Sequence, residues 1–397
     1  MSKLFSGAPL TPPSAPALMR LYHPGSSAFI SPRVSLLTHG IHAAVEVHDP
    51  QCISSHAQAL LDEVAHEAIV PPLVLGAVPF SSEGKAKLFV PDGAVTGLGA
   101  RADLLPPQAA WSCERSQASG QHLPAPDHYC QNVQEALQQI SGGALQKVVL
   151  SRAMRIAAQV DIKRLLQCLM SRNLLGYTFS VDLMDQGRAL VGASPELLLS
   201  KAGRLVQSHP LAGSVPRSLD PQEDQARAQR LLASSKDHRE HAFVVDAVAQ
   251  TLEPHCSALV VPRTPSLVST PTMWHLGTHI TGELNNPHIS SLELALALHP
   301  TPAVCGYPPQ SARAFIEATE GFDRGYFTGL VGWCDRQGDG EWAVTIRCAE
   351  VSDGCATLYA GAGIVLGSDP AAELAETTAK MQTMLGAMNI DLLMEAA

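Results

Sequence analysis

Short blocks of continuous or alternating apolar residues at 33–47, 72–79 and 86–90 predict strands, and the helical spacing over 53–68 predicts a helix. Asp127 is placed to cap a helix that the Gly142-Gly143 pair stops, and the β-branched run 145–156 that follows puts Lys147 on a strand. A helix over 161–173 leads into strands at 177–183, 189–193 and 196–200, the last turning back through Lys201-Ala202-Gly203 into 204–207. Toward the C-terminus, strands at 329–334, 341–351 and 356–360 are joined by glycine-bearing turns at 337–340 and 352–354. Strands linked this closely must pair antiparallel, so the pattern is a meander and predicts an α+β protein with helices packed outside mainly antiparallel sheets.

Composition narrows the class. With 46% hydrophobic and 16% charged residues, the 397-residue chain can bury a large core. Its length allows two or three domains or one large unit, with 1–26 reading as a Pro/Ser-rich flexible arm and 106–126 as a linker. The formal charge of −10 and the lack of Lys/Arg runs argue against nucleic acid as a partner. The longest apolar run, 68–80, is broken by Pro71, Pro72 and Pro79 and falls short of the ~20 residues of a membrane span. Residues 1–20 carry no continuous apolar stretch, so no secretory signal is expected. Nine scattered cysteines without a C-x-x-C pair fit reduced thiols and a cytoplasmic location.

Two helices carry the candidate chemistry. Ser368-Asp369-Pro370 starts one that runs to about Gly386, and its Glu373, Glu376 and Lys380 share a face. By spacing alone this also fits an exposed ion-pair stripe. The other, over 236–252, places Asp237 and Glu240 beside an apolar face. If both helices border one cleft, four carboxylates repel one another unless a dication intervenes, and oxygen-only ligands point to Mg²⁺. His238, His241 and His275 are possible additional ligands, although a structural role fits each better. Gly361, Gly363 and Gly367 follow a strand and precede a helix, but no βαβ unit surrounds them, which argues against a dinucleotide fold. Arg347, with the small neighbours Ala343, Thr345 and Ala349 on the expected face of its strand, has room to fork toward a carboxylate.

Seven segments stand in one order: Lys147-Val-Val-Leu-Ser-Arg152, Ala193-Ser-Pro-Glu196, Pro210-Leu-Ala-Gly-Ser214, Lys236-Asp-His-Arg-Glu-His241, Phe322-Asp-Arg-Gly-Tyr-Phe327, Ala343-Val-Thr-Ile-Arg347, and Ala360-Gly-Ala-Gly-Ile364 continuing to Lys380. Over about residues 127–390 the chain resembles the chorismate-utilising enzymes, which include anthranilate, aminodeoxychorismate, salicylate and isochorismate synthases. Residues 28–38, with Ser31-Pro32-Arg33, are similar to siderophore-type isochorismate synthases. The resemblance implies one large catalytic domain over 27–397, with two antiparallel sheets packed face to face, helices outside and the site between them. The linker becomes a loop within that domain.

The resemblance further implies Lys147 as general base and Glu196 as general acid. Glu240 and Glu376 would hold Mg²⁺, with Asp237 and Glu373 holding metal-bound water. Arg347 and Lys380 would receive substrate carboxylate, helped by backbone at Gly213, Ser214 and Gly361, with His275 near the ring. Such an acid–base pair requires Lys147 with a lowered pKa and Glu196 with a raised one. Ala303 and Phe327 stand where salicylate synthases usually carry Thr and Tyr, and Tyr326 is a nearby source of a hydroxyl. Gly213-Ser214 and Pro308-Pro309 depart from the Gly-Thr and Pro-Lys common in ammonia-using relatives. The expected activity is therefore isochorismate synthase, feeding siderophore or salicylate biosynthesis through an isochorismatase or an isochorismate-pyruvate lyase. The alternatives are a salicylate synthase, an ammonia-using synthase, or a non-catalytic chorismate-binding protein. A monomer is expected, since no apolar helix stripe is obviously spare.

Overall fold

The computed structural model describes residues 12–65, 72–81, 83–100, 116–185 and 187–392. Two large antiparallel sheets form its centre. The ten-stranded sheet runs through Gly306–Tyr307, Lys147–Ala157, Cys355–Val365, Cys348–Ser352, Ala189–Ser194, Tyr177–Asp182, Ser27–Ile30, Val34–His39 and Gly93–Leu98, with Gly120–Leu123 also paired to Lys147–Ala157. The nine-stranded sheet runs through Cys256–Val260, Ile280–Leu284, Leu205–His209, Leu197–Ala202, Gly340–Val344, Leu330–Asp335, Leu73–Val78, Ala86–Val90 and Ala43–Val47. A three-stranded sheet joins Leu211–Pro216, Met273–Gly277 and Ser266–Ser269. The pairing of Ile390–Leu392 with Ser116–Ala118 is parallel.

Both faces of the central strands are buried, which is why so many read as unbroken apolar runs. Phe29, Phe179, Leu190, Leu197, Val331 and Ala343 point between the sheets. Their neighbours Ala28, Ile30, Ala189 and Val191 point outward, against the helices Ala15–Arg20, Ile162–Arg172 and Pro370–Met388. On the other side, Leu198, Leu199, Val206 and Trp342 pack against Ile53–Val64, Ser235–Leu252 and Ser291–Leu298. The layers are helix, sheet, sheet, helix, as expected from the resemblance.

The chain changes sheets at two adjacent points. It leaves the ten-stranded sheet after Ser194 and joins the nine-stranded one at Leu197, with Pro195 and Glu196 in the crossing. It returns between Val344 and Cys348, with Arg347 at the bend. The crossings are stitched together: the Ala193 N–H donates to the Arg347 carbonyl at 3.0 Å and the Val344 N–H to the Glu196 carbonyl at 3.2 Å. This corrects the single strand expected over 341–351. Arg347 takes a left-handed backbone conformation, φ 51°, so its side chain does not follow the alternation assumed for it. Nor does Glu196 begin a strand; it lies in the crossing itself.

Smaller differences have local causes. The helix expected to be capped by Asp127 runs Pro126–Ser141, with Pro126 in its first turn and Ala125 as cap, so Asp127 sits inside that turn, where an acid favours the helix dipole. The helix at 53 ends at Val64; residues 66–68 of the expected one lie outside the described residues. Within the expected arm, Ala15–Arg20 is a helix whose Leu18 and Met19 are fully buried, so 12–26 is docked by its own apolar side chains, while 1–11 lie outside the described residues. Of the expected linker, 106–115 lie outside them, and the remainder forms Ser116–Ala118, Gly120–Leu123 and the start of the next helix.

Candidate active site

The two acidic helices start where the sequence places them. The Ser234 hydroxyl accepts from the Asp237 N–H at 3.2 Å and begins Ser235–Leu252. The Asp369 carboxylate accepts from the Ala372 N–H at 2.9 Å, with Pro370 in the first turn of Pro370–Met388. Both helices pack on the strand Leu211–Pro216, and their acidic faces turn toward an open cleft of about 650 Å³, solvent at its mouth included. Glu196, Gly213, Ser214, Glu240, His275, Ala303, Phe327, Arg347, Gly361, Glu376 and Lys380 all line this cleft. Lys147 is fully buried just behind the wall, with its Nζ 3.1 Å from Glu240 Oε1. Asp237 and Glu373 stand further back and do not line it.

Each charged group has an identifiable neighbour. Lys380 Nζ pairs with Glu376 Oε1 at 2.6 Å and donates to the Gly361 carbonyl at 2.9 Å, while the Ser214 hydroxyl donates to Glu376 Oε1 at 2.7 Å. Burial alone would raise the Glu376 pKa, but Lys380 and Ser214 together hold it below the usual value. Lys236, given no role from sequence, pairs with Glu373 at 2.9 Å. Burial and the neighbouring Glu376 charge nevertheless push Glu373 up to about 7. Glu196 is also pushed up to about 7, chiefly by burial, against an N–H from Leu211 and the positive charges of Lys147, Lys380 and Arg347. It is thus a carboxyl that holds its proton near neutrality.

Arg347 is buried, and burial lowers its pKa to about 10. Its Nη2 donates to His275 Nε2 at 3.2 Å, while Nη1 is buried without a partner. Burial, followed by the charges of Arg347 and Lys380, holds the His275 pKa well below its usual value, so the ring is neutral and accepts from the arginine. The other histidines are structural. His241 is fixed between the Ala212 carbonyl and the Thr278 hydroxyl, and His238 contacts the Leu232 carbonyl.

One wall is aromatic. Phe327 stacks on Tyr359 with ring centroids 5.1 Å apart, and Tyr359 borders the cleft. Tyr326 does not supply the expected hydroxyl: its OH turns away and donates to the Lys85 carbonyl at 2.9 Å. The alternation of the strand Cys355–Val365 is the signal that could have singled out Tyr359. Behind the wall, the buried Arg324 pairs with Glu320 and donates to the carbonyls of Val149 and Val304, both bordering the cleft. Sequence reading missed this pair because neither residue stands at the surface its charge implies.

Among the described residues, no three His, Cys, Asp or Glu side chains cluster as a metal centre. Mg²⁺ takes only one or two carboxylates and completes its octahedron with water. Glu240 and Glu376, from different helices, offer carboxylate oxygens to one cleft. Burial together with the negative charge of Glu240 and Glu376 raises the Asp237 pKa despite a hydrogen bond from the Ser234 hydroxyl to its carboxyl and nearby Lys236. Hard carboxylate oxygens of this kind are the donors a dication such as Mg²⁺ takes.

A profile of chorismate binding enzymes matches residues 100–389. The chain belongs to this family. Among its relatives, isochorismate synthase DhbC of Bacillus subtilis is 45% identical over 405 residues, covering 96% of this chain and 98% of the relative. The vibriobactin-specific isochorismate synthase of Vibrio cholerae is 42% identical over 367 residues, covering 92% and 91%. A crystal structure from Bacillus anthracis, described as a 2,3-dihydroxybenzoate-specific isochorismate synthase, superposes with a TM-score of 0.89 at 44% identity, covering 95% of this chain and all of that one. The family's chorismate-utilising fold is the two-sheet architecture seen here.

Proposed function

We propose that this chain is a Mg²⁺-dependent isochorismate synthase that adds water at C2 of chorismate and expels the C4 hydroxyl. The observation that carries the reading is the state of Glu196, a buried carboxyl whose proton is retained to about pH 7, in one cleft with a buried arginine that has an unpartnered N–H. Lys147 takes a proton from the attacking water, the ring double bonds shift, and Glu196 gives a proton to the departing hydroxyl, so the atoms balance without a co-substrate. Arg347 receives a substrate carboxylate on its free Nη1, and Lys380 offers a second cation. Glu240 and Glu376 would hold Mg²⁺, which when bound neutralises the acidic wall that would otherwise repel a dianionic substrate. Asp237 and Glu373 would orient its water. The backbone at Gly213, Ser214 and Gly361 and the neutral ring of His275 shape the rest of the pocket.

Ala303 and Phe327 both face the cleft and put no hydroxyl there, which favours hydration over the pyruvate elimination of salicylate synthases. The names of the relatives, isochorismate synthases, agree with this choice, and the product is proposed to feed siderophore or salicylate biosynthesis. Incubating the purified protein with chorismate and Mg²⁺ and separating the products tests the reading. Isochorismate is expected; salicylate with pyruvate, or no conversion, would overturn it.

A further inference from the structure

The strand Lys147–Ala157 has a second cavity on its other side. While Lys147 and Val149 turn toward the cleft, Arg152 and Met154 turn toward the helix Pro370–Met388 and border a separate space of about 450 Å³, open solvent at its mouth included. Its lining is mostly apolar, with Met154, Leu374, Met381, Leu385 and Leu392 beside the polar His122, Thr378, Gln382 and Arg152. Arg152 is 1% exposed. It donates from Nε to Thr377 Oγ1 at 3.1 Å and from Nη2 to Thr378 Oγ1 at 2.9 Å. Its guanidinium also lies 5.5 Å from the Tyr129 ring centroid. Those are neutral partners. Among the described residues no carboxylate pairs with Arg152, although buried arginines are ordinarily matched by an anion. Both threonine hydroxyls donate to the Leu374 carbonyl, so each meets the arginine with a lone pair and neither supplies charge.

We infer that this cavity is a binding site, distinct from the catalytic cleft, for a small monocarboxylic acid with an apolar body, its carboxylate on Arg152 and its ring or chain among the methionines and leucines. A carboxylate there would compensate the buried charge, and the wall would take up an uncharged hydrocarbon part.

Calorimetric titration of the full-length protein with benzoate, with benzamide as the neutral control, tests the inference. Benzoate is expected to bind and benzamide not to. Arg152→Gln should weaken benzoate binding about tenfold or more, the loss expected for a charge-assisted contact. Because Arg152 is buried and its replacement can unfold the chain, Gln382→Trp is the second variant: Gln382 is exposed at the cavity rim, and a bulky ring there should close the space and abolish binding. Arg347→Gln should leave benzoate binding unchanged. Binding that is lost in Arg347→Gln but survives Gln382→Trp would place benzoate in the catalytic cleft and overturn the inference, as would an absence of saturable binding to the unmodified protein.

Discussion

Lys147 on its strand and Glu240 on its helix meet at 3.1 Å because the neighbouring strand has a glycine beside them: a β-carbon on Gly363 would lie 2.1 Å from Glu240 Oε1 and 3.1 Å from Lys147 Cε. Gly363→Ala should therefore push the carboxylate off the amine. Overpacking of this kind costs about 1–3 kcal/mol. We expect a lower melting temperature together with at least a tenfold loss of kcat; a variant with unchanged kcat would mean the contact is dispensable.

Glu196 is useful as an acid only while protonated, and its pKa near 7 sets the window. Turnover should fall as pH rises through about 7, and Glu196→Gln should lose about 10²–10⁴-fold in kcat with the fold retained. The same carboxyl has a folded-state pKa above its ordinary 4.5, so its contribution to stability is complete below pH 4.5 and is lost as pH rises to about 7. Urea titrations across that range should show a shallower decline in the glutamine variant.

Arg347→Lys keeps the charge but loses the planar fork and the free Nη1. The expected result is a rise in KM for chorismate of tenfold or more, exceeding any fall in kcat. Steady-state kinetics read the two separately, and an unchanged KM would remove Arg347 from substrate binding.

Chelation should stop turnover, and Mg²⁺ should raise the melting temperature of the metal-free protein by mass action. Glu240→Gln and Glu376→Gln should each reduce that shift. If both variants respond to Mg²⁺ like the unmodified protein, the metal binds elsewhere.

Glu320→Ala would strand the buried Arg324 guanidinium behind the cleft wall. Breaking a buried pair by removing one partner costs about 3–5 kcal/mol, a loss that chemical denaturation would register.

Much of this was legible in the chain. The spacing of Glu373, Glu376 and Lys380, the cap at Asp369 and the meander of short-linked strands are local, and local rules found them. The assignment of strands to sheets was not, since strands buried on both faces look alike whichever sheet they join. The crossing at Arg347 illustrates the limit: no glycine or proline marks it, and Ala343-Val-Thr-Ile-Arg347 alternates as smoothly as one strand would. Pro195 marks the other crossing, yet Glu196 still read as the start of a strand. Among charges, spacing found the Glu376–Lys380 pair within one helix, but the Lys236–Glu373 bridge joins residues 137 positions apart, which no spacing rule could anticipate.

The stitched crossings have a mechanical consequence. The backbone bonds between them tie the proton donor at 196 to the guanidinium at 347, and each crossing is rooted in both sheets. If one sheet slides against the other, these two groups travel as a unit and keep their mutual spacing. What changes is their distance from the carboxylates on the outer helices, so breathing of the sandwich would open and close the pocket along that one direction.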